Sequence, residues 1–317
     1  MKLKPHYTYI LVTLSMLFWG MSFVWSKIAL QYYEPVTILV LRLLVSAALL
    51  FGGLRIFGRL QQIRKEDYRL FLLSALFNPF LYFLGENYGL KFTSPTITAV
   101  LIATIPLFTP VLGYIVFGER LNVLNILGLF VSFGGLLVML INPDFSLNAS
   151  PQGIAWLALA VVTAVYYSVL LKKLAMKYDA FMIIAVQNLL GAIYFLPLFF
   201  VLDFQQFITV RPTAELISSL LLLAFFASSL AFVFFTISSR EIGISRTNLF
   251  TNLIPVFTAV FSFFILGEVF EMQKIIGMAV VIAGVLMSQI RHDRMIVNIY
   301  RFIFFNRKNN SNNDLNT

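Results

Sequence analysis

Apolar runs near the length of a membrane span recur ten times along the chain, separated by short polar or turn-rich intervals. They fall at about 7–30, 35–55, 70–90, 94–117, 122–141, 153–172, 180–202, 215–238, 246–267 and 272–290. A hydrocarbon core needs roughly 20 predominantly apolar residues in a helix. The pattern predicts an all-α membrane protein of ten transmembrane helices. The first run follows Lys2 and Lys4 in the manner of a signal peptide. It is too long for the apolar region of such a peptide and lacks a small-residue cleavage site, so it reads as the first span.

The pattern also repeats. Sliding the chain by 149 positions lays 96–140 on 245–289 without a gap, with thirteen of forty-five positions identical. The identities include Pro106/Pro255, Phe108-Thr109/Phe257-Thr258, Gly118-Glu119/Gly267-Glu268, Gly128/Gly277 and Gly135/Gly284. Each copy reads as an apolar helix with a central proline, a Gly-Glu stop, and a second apolar helix with spaced glycines. More weakly, Trp19…Ser22…Lys27 falls on Val165…Ser168…Lys173, and Glu34…Arg42 on Asp179…Gln187. The expected organisation is a five-helix repeat over 1–141, a turn-rich linker at 142–152, a second repeat over 153–290 and a basic tail at 291–317.

Charge gives this arrangement a direction. With the N-terminus inside, eighteen of the twenty-three Lys and Arg fall on cytoplasmic segments and three, Lys91, Arg211 and Lys274, on the opposite side. That asymmetry follows the positive-inside rule and places both termini in the cytoplasm. It accounts for the net charge of +9 without a nucleic-acid partner. Because five helices per repeat is an odd number, the two repeats enter the membrane from opposite sides, an architecture common among secondary transporters.

Composition agrees with a lipid solvent. The chain is 60% hydrophobic and 12% charged, with a mean hydropathy of +0.88, against about 25% charged residues in soluble domains. There is no cysteine, which excludes disulfides and thiolate metal sites. The two histidines, His6 and His292, sit at the ends of the chain, and Glu86 has no second carboxylate near it within the spans. No catalytic or metal cluster is expected, and neither enzyme activity nor a cofactor.

The residues Phe18-Trp19-Gly20, the Gly89-Leu90-Lys91 end of the third run, and the paired proline to Gly-Glu signatures resemble the drug/metabolite transporter superfamily, specifically its EamA-type ten-helix members. The resemblance covers about 5–290. It implies a carrier of small metabolites or amino acids in the cytoplasmic (inner) membrane, working by alternating access and in the export direction, as a monomer or homodimer. The alternative is a membrane-embedded sensor or scaffold without transport.

Several residues within the runs are candidates for the solute pathway. Pro106 and Pro255 each remove a backbone hydrogen bond, freeing the carbonyls of Ile102 and Thr251 towards a cavity or a packing kink. Asn248 and Asn252 share a helix face, as substrate contacts or as glue between helices. Asn78, Tyr82 and Glu86 are spaced by four on the third run. A carboxylate at this depth is costly, so Glu86 pairs with Arg42 or Lys27, or stands wet in a cavity and handles a proton or substrate. Trp19, Tyr166 and Tyr167 lie near mid-span, where polar-tipped aromatics suit either a cavity for a flat solute or plain packing. Glu119 and Glu268, behind Gly118 and Gly267, read as charges placed near the start of the next helix. The glycines at 128, 135, 277 and 284 predict close helix contacts.

Overall fold

The computed structural model describes residues 5–108, 123–141, 149–243, 247, 250–269 and 271–288. Among these residues the protein is helical, with no strand. In chain order the helices are α1 (His6–Ala29), α2 (Pro35–Ile56), α3 (Lys65–Lys91), α4 (Pro95–Phe108), α5 (Ile126–Leu140), α6 (Pro151–Ala175), α7 (Ala180–Thr209), α8 (Ala214–Ile242), α9 (Phe250–Leu266) and α10 (Met272–Met287). Six of them, α1, α2, α3, α6, α7 and α8, are long and apolar enough to cross a membrane, and the other four are shorter apolar helices. Gly118 and Glu119 lie outside the described residues, as does Asn248.

Local chemistry sets the helix ends. Pro35, Pro95 and Pro151 open α2, α4 and α6, where the missing N–H costs no intrahelical bond. The Ser94 hydroxyl accepts from Ile97 N–H at 3.3 Å, the Asp179 carboxylate from Phe181 N–H at 2.9 Å, and the Thr213 hydroxyl from Leu216 N–H at 3.2 Å. Each satisfies a donor that the first turn leaves free. Gly267 ends α9 at φ 66°, a conformation that glycine adopts without a Cβ penalty.

One difference from the sequence reading lies in α3. Asn78 leaves the helical region (φ −148°, ψ 121°) ahead of Pro79, so the helix is broken rather than continuous. Proline has no N–H for the ladder and its ring clashes with the preceding turn. Pro79 thus breaks its run as Pro106 and Pro255 are expected to break theirs, though no repeat in the sequence marks it.

Small residues let antiparallel helices approach closely. A Cβ on Gly135 of α5 would meet Gly277 O of α10 at 2.9 Å, and one on Gly284 would meet Gly128 O at 2.8 Å. Adding or subtracting 149 turns the first contact into the second. Between α3 and α6, a Cβ on Gly85 would lie 2.9 Å from Ala160 N. Between α1 and α9, the Thr258 hydroxyl donates to Gly20 O at 3.1 Å. Hydrogen bonds run between α2 and α7: Glu34 N–H to Gln206 Oε1 at 2.9 Å, Thr37 N–H to Asp203 Oδ2 at 2.8 Å, and Asn188 Nδ2 to Ser46 Oγ at 2.7 Å. The residue numbers rise on one helix as they fall on the other, so this pair is antiparallel too. Asp179 N–H mirrors Glu34, donating to Gln61 Oε1 at 2.7 Å, and the two pairs differ by 145 in both members.

Candidate substrate cavity

These packing contacts leave a cavity among α1, α2, α3, α4, α6, α8 and α9. Its lining includes Trp19, Ser22, Arg42, Asn78, Tyr82, Phe83, Glu86, Pro106, Tyr167, Ser168, Phe232, Phe235 and Thr251. It offers about 90 Å³ to the centres of water-sized groups, whereas one water needs only about 10–15 Å³ by that measure. Ile102 and Ile105 bring the turn before Pro106 to the wall, and Ile254 brings the residue before Pro255. Broken helices at this depth are tolerated where they face protein or a wet cavity.

The charged groups are arranged differently from a simple ion pair. Arg42 is 1% exposed. Its Nε donates to Ser228 Oγ at 2.8 Å, and its guanidinium lies 4.5 Å from the centre of the Phe83 ring. Glu86 is 6% exposed, with the Tyr82 hydroxyl as its neighbour and Arg42 as the positive charge acting on it through space. Among the described residues, no Lys or Arg nitrogen comes within 4.0 Å of a Glu86 oxygen. Lys27 is committed elsewhere. Its Nζ donates to Leu90 O at 2.9 Å and Thr93 O at 2.7 Å, capping the end of α3, where a cation is favourable.

A polar scaffold stands behind the wall. Asn188 Nδ2 donates to Ser228 O at 2.9 Å as well as to Ser46 Oγ, and the hydroxyls of Ser46 and Ser229 are 2.6 Å apart. These bonds fix the part of α8 that holds Arg42. The Tyr167 hydroxyl donates to Gln187 Oε1 at 3.0 Å, and Gln187 Nε2 donates to Ser74 Oγ at 3.1 Å. Buried polar groups satisfied this way rigidify a site. Gln187 carried a signal in the sequence as the alignment partner of Arg42. Ser228 and Asn188 carried none, since small polar residues in apolar helices have many uses.

The other predicted residues fall in and out of the cavity. Trp19 lines it, with its ring 4.9 Å from Phe232 and 5.1 Å from Phe235. Tyr166 is outside the lining, 46% exposed, and stacks on Phe77 at 5.6 Å. The helical turn that points Tyr167 inward points its neighbour out. Asn252 and Pro255 are buried beside lining residues Thr251 and Ile254 rather than in the wall. Glu268 accepts from the Thr96 hydroxyl at 2.9 Å. Its side chain thus ties α4 to the end of α9, and Lys27 feels its charge.

At the start of α3, Lys177 Nζ donates to Asp67 Oδ1 at 2.6 Å and the Tyr178 hydroxyl to Oδ2 at 2.7 Å. The hydrogen bond to Asp67 holds Lys177 above the ordinary lysine range. Lys91 pairs with Glu34. Among the described residues, no group of three or more His, Asp or Glu side chains could hold a metal ion.

The comparisons with known proteins agree with this architecture. The model of the EamA-like transporter family matches residues 6–141 and 151–289. An uncharacterized transporter of Archaeoglobus fulgidus is 27% identical over 283 residues, covering 89% of this chain and 96% of its own. The uncharacterized transporter YvbV of Bacillus subtilis is 26% identical over 281 residues, covering 88% and 90%. A solved crystal structure aligns with a TM-score of 0.66 at 16% identity, over 90% of this chain and 97% of that one. That structural likeness speaks to the fold alone.

Proposed function

Because the chain belongs to the EamA-like transporter family, a family of membrane transporters rather than enzymes, we propose that it is a secondary carrier. It exports small metabolites or amino acids across the cytoplasmic membrane by alternating access. The observation that carries this reading is the cavity between the helices of the two repeated segments, which holds a buried guanidinium and a buried carboxylate that do not pair directly. Charges are costly at this depth, and two separated ones suit a site that an occupant completes.

The proposed scaffold has ten spans, both termini in the cytoplasm, and two inverted repeats over 1–141 and 153–290 joined by 142–152. The interchangeable contacts Gly135–Gly277 and Gly128–Gly284 support it, as do the matched bonds of Glu34 and Asp179 to glutamines. Rocking of one repeat against the other would expose the cavity to each side in turn. The test is flux in vesicles reconstituted with the purified protein and a panel of metabolites. Accumulation or release that depends on the protein supports the carrier. A panel-wide absence of flux from folded protein favours a sensor or scaffold.

A further inference from the structure

Two donors in the cavity wall are buried and unspent. Arg42 gives its Nε to Ser228 and its face to Phe83, and its Nη1 has no acceptor among the described residues. Trp19 sets its ring against Phe232 and Phe235, and its Nε1 is likewise buried without an acceptor. Both side chains line the same cavity. They are joined by one aromatic wall, because Phe232 touches Trp19 and also lies 5.9 Å from Phe83, on which the guanidinium rests. A buried donor without a partner is destabilising, and most buried polar groups are satisfied. Among the hydroxyls of the lining, those of Ser22 and Ser168 donate to carbonyls of their own helices and that of Tyr167 to Gln187.

We propose that Arg42 Nη1 and Trp19 Nε1 form a carboxylate-binding site, taking a solute with a single carboxylate on a flat, apolar body. A carboxylate is an acceptor with two oxygens, and charge-assisted bonds from a guanidinium and an indole N–H are the strong kind. The rings of Trp19, Phe83, Phe232 and Phe235 supply the apolar wall. Glu86, in the same cavity, repels a second negative charge and sets the limit at one. The proposal rests on the carrier reading for its biological use and not for its chemistry. An aromatic carboxylic acid and an aromatic amino acid both present this group.

The test is calorimetric binding to the purified full-length protein in lipid nanodiscs, with 3-phenylpropionate, phenylalanine, phenethylamine and benzylmalonate as probes. 3-Phenylpropionate is expected to bind, and phenethylamine and benzylmalonate not. Phenylalanine binding more tightly than 3-phenylpropionate points to an amino acid as the source, and the reverse order to a simple acid. Arg42→Gln removes the cation but also the bond to Ser228, so Trp19→Phe carries the test, keeping an aromatic ring on the wall while deleting the donor and trimming the ring. It is expected to weaken 3-phenylpropionate about tenfold or more. Equal binding of acid and amine, binding of neither acid, or unchanged affinity in Trp19→Phe overturns the site. Flux of solutes without a carboxylate preference overturns it too and leaves the carrier reading standing. Selective carboxylate binding without any flux supports the site and removes the carrier reading.

Discussion

Gly135 of α5 and Gly277 of α10 lie backbone to backbone: a Cβ on either would stand 2.9 Å from the other's carbonyl oxygen. The space is filled by main chain and by the Cβ atoms of Val280 and Met139, none of which can swing aside. Gly135→Val is expected to cost about 1–3 kcal/mol, the usual range for overpacking, read as a lower melting temperature in detergent. Gly134→Ala is the control, since a Cβ there meets nothing within 4 Å and should leave the melting temperature unchanged or raise it slightly.

The close glycine contacts of α5 and α10 were legible because they depend on backbone approach, which only the smallest residues allow. The cavity was legible in part. Trp19, Tyr82, Glu86 and Pro106 stood out as polar or helix-breaking residues in apolar runs, and they meet at one wall. Arg42 stood out too, but as a partner for Glu86. The structure gives it Ser228 and Phe83 instead, contacts 186 and 41 positions away in sequence that no local pattern encodes. The choice between Tyr166 and Tyr167 turns on about 100° of helix rotation, finer than the phase an almost wholly apolar helix reveals.

The proposed topology places 142–152 outside the cell and the tail after 290 inside. Reporter fusions at Asn148 and Asn309 should read external and cytoplasmic, respectively. The same compartment for both would remove the inverted repeat, because five spans could not then separate corresponding positions.

Accessibility separates the cavity wall from the lipid face. The native chain has no cysteine, so single introduced thiols label cleanly. Ser168→Cys lines the cavity and should react with a water-soluble maleimide, more slowly when a transported solute is present. Tyr166→Cys, two positions away and outside the lining, should stay unreactive, as a residue facing hydrocarbon would. Equal labelling at both would place water where the proposed cavity geometry does not.

The last prediction separates two kinds of charge inside the protein. Lys27 is structural: two charge-assisted bonds tie α1 to the end of α3, and bonds of that kind contribute about 1.5–3 kcal/mol each. Lys27→Met should therefore lower yield and melting temperature, because it leaves two carbonyls without their donor. Glu86 has no ion-pair tie of this kind, since among the described residues no cation nitrogen lies within 4.0 Å of its carboxylate. It can exchange a proton within the cavity without breaking an ion pair, and its charge is felt by Arg42 through space. Glu86→Gln keeps the shape and removes the charge. It should melt within a few degrees of the parent protein, while flux in vesicles loses its response to an imposed pH gradient. Thermal melting and gradient-driven flux, measured side by side on Lys27→Met and Glu86→Gln, check both halves. A Glu86→Gln protein that fails to fold would show that the carboxylate holds the helices together. A stable one that still follows the gradient would take the proton-handling role away from it.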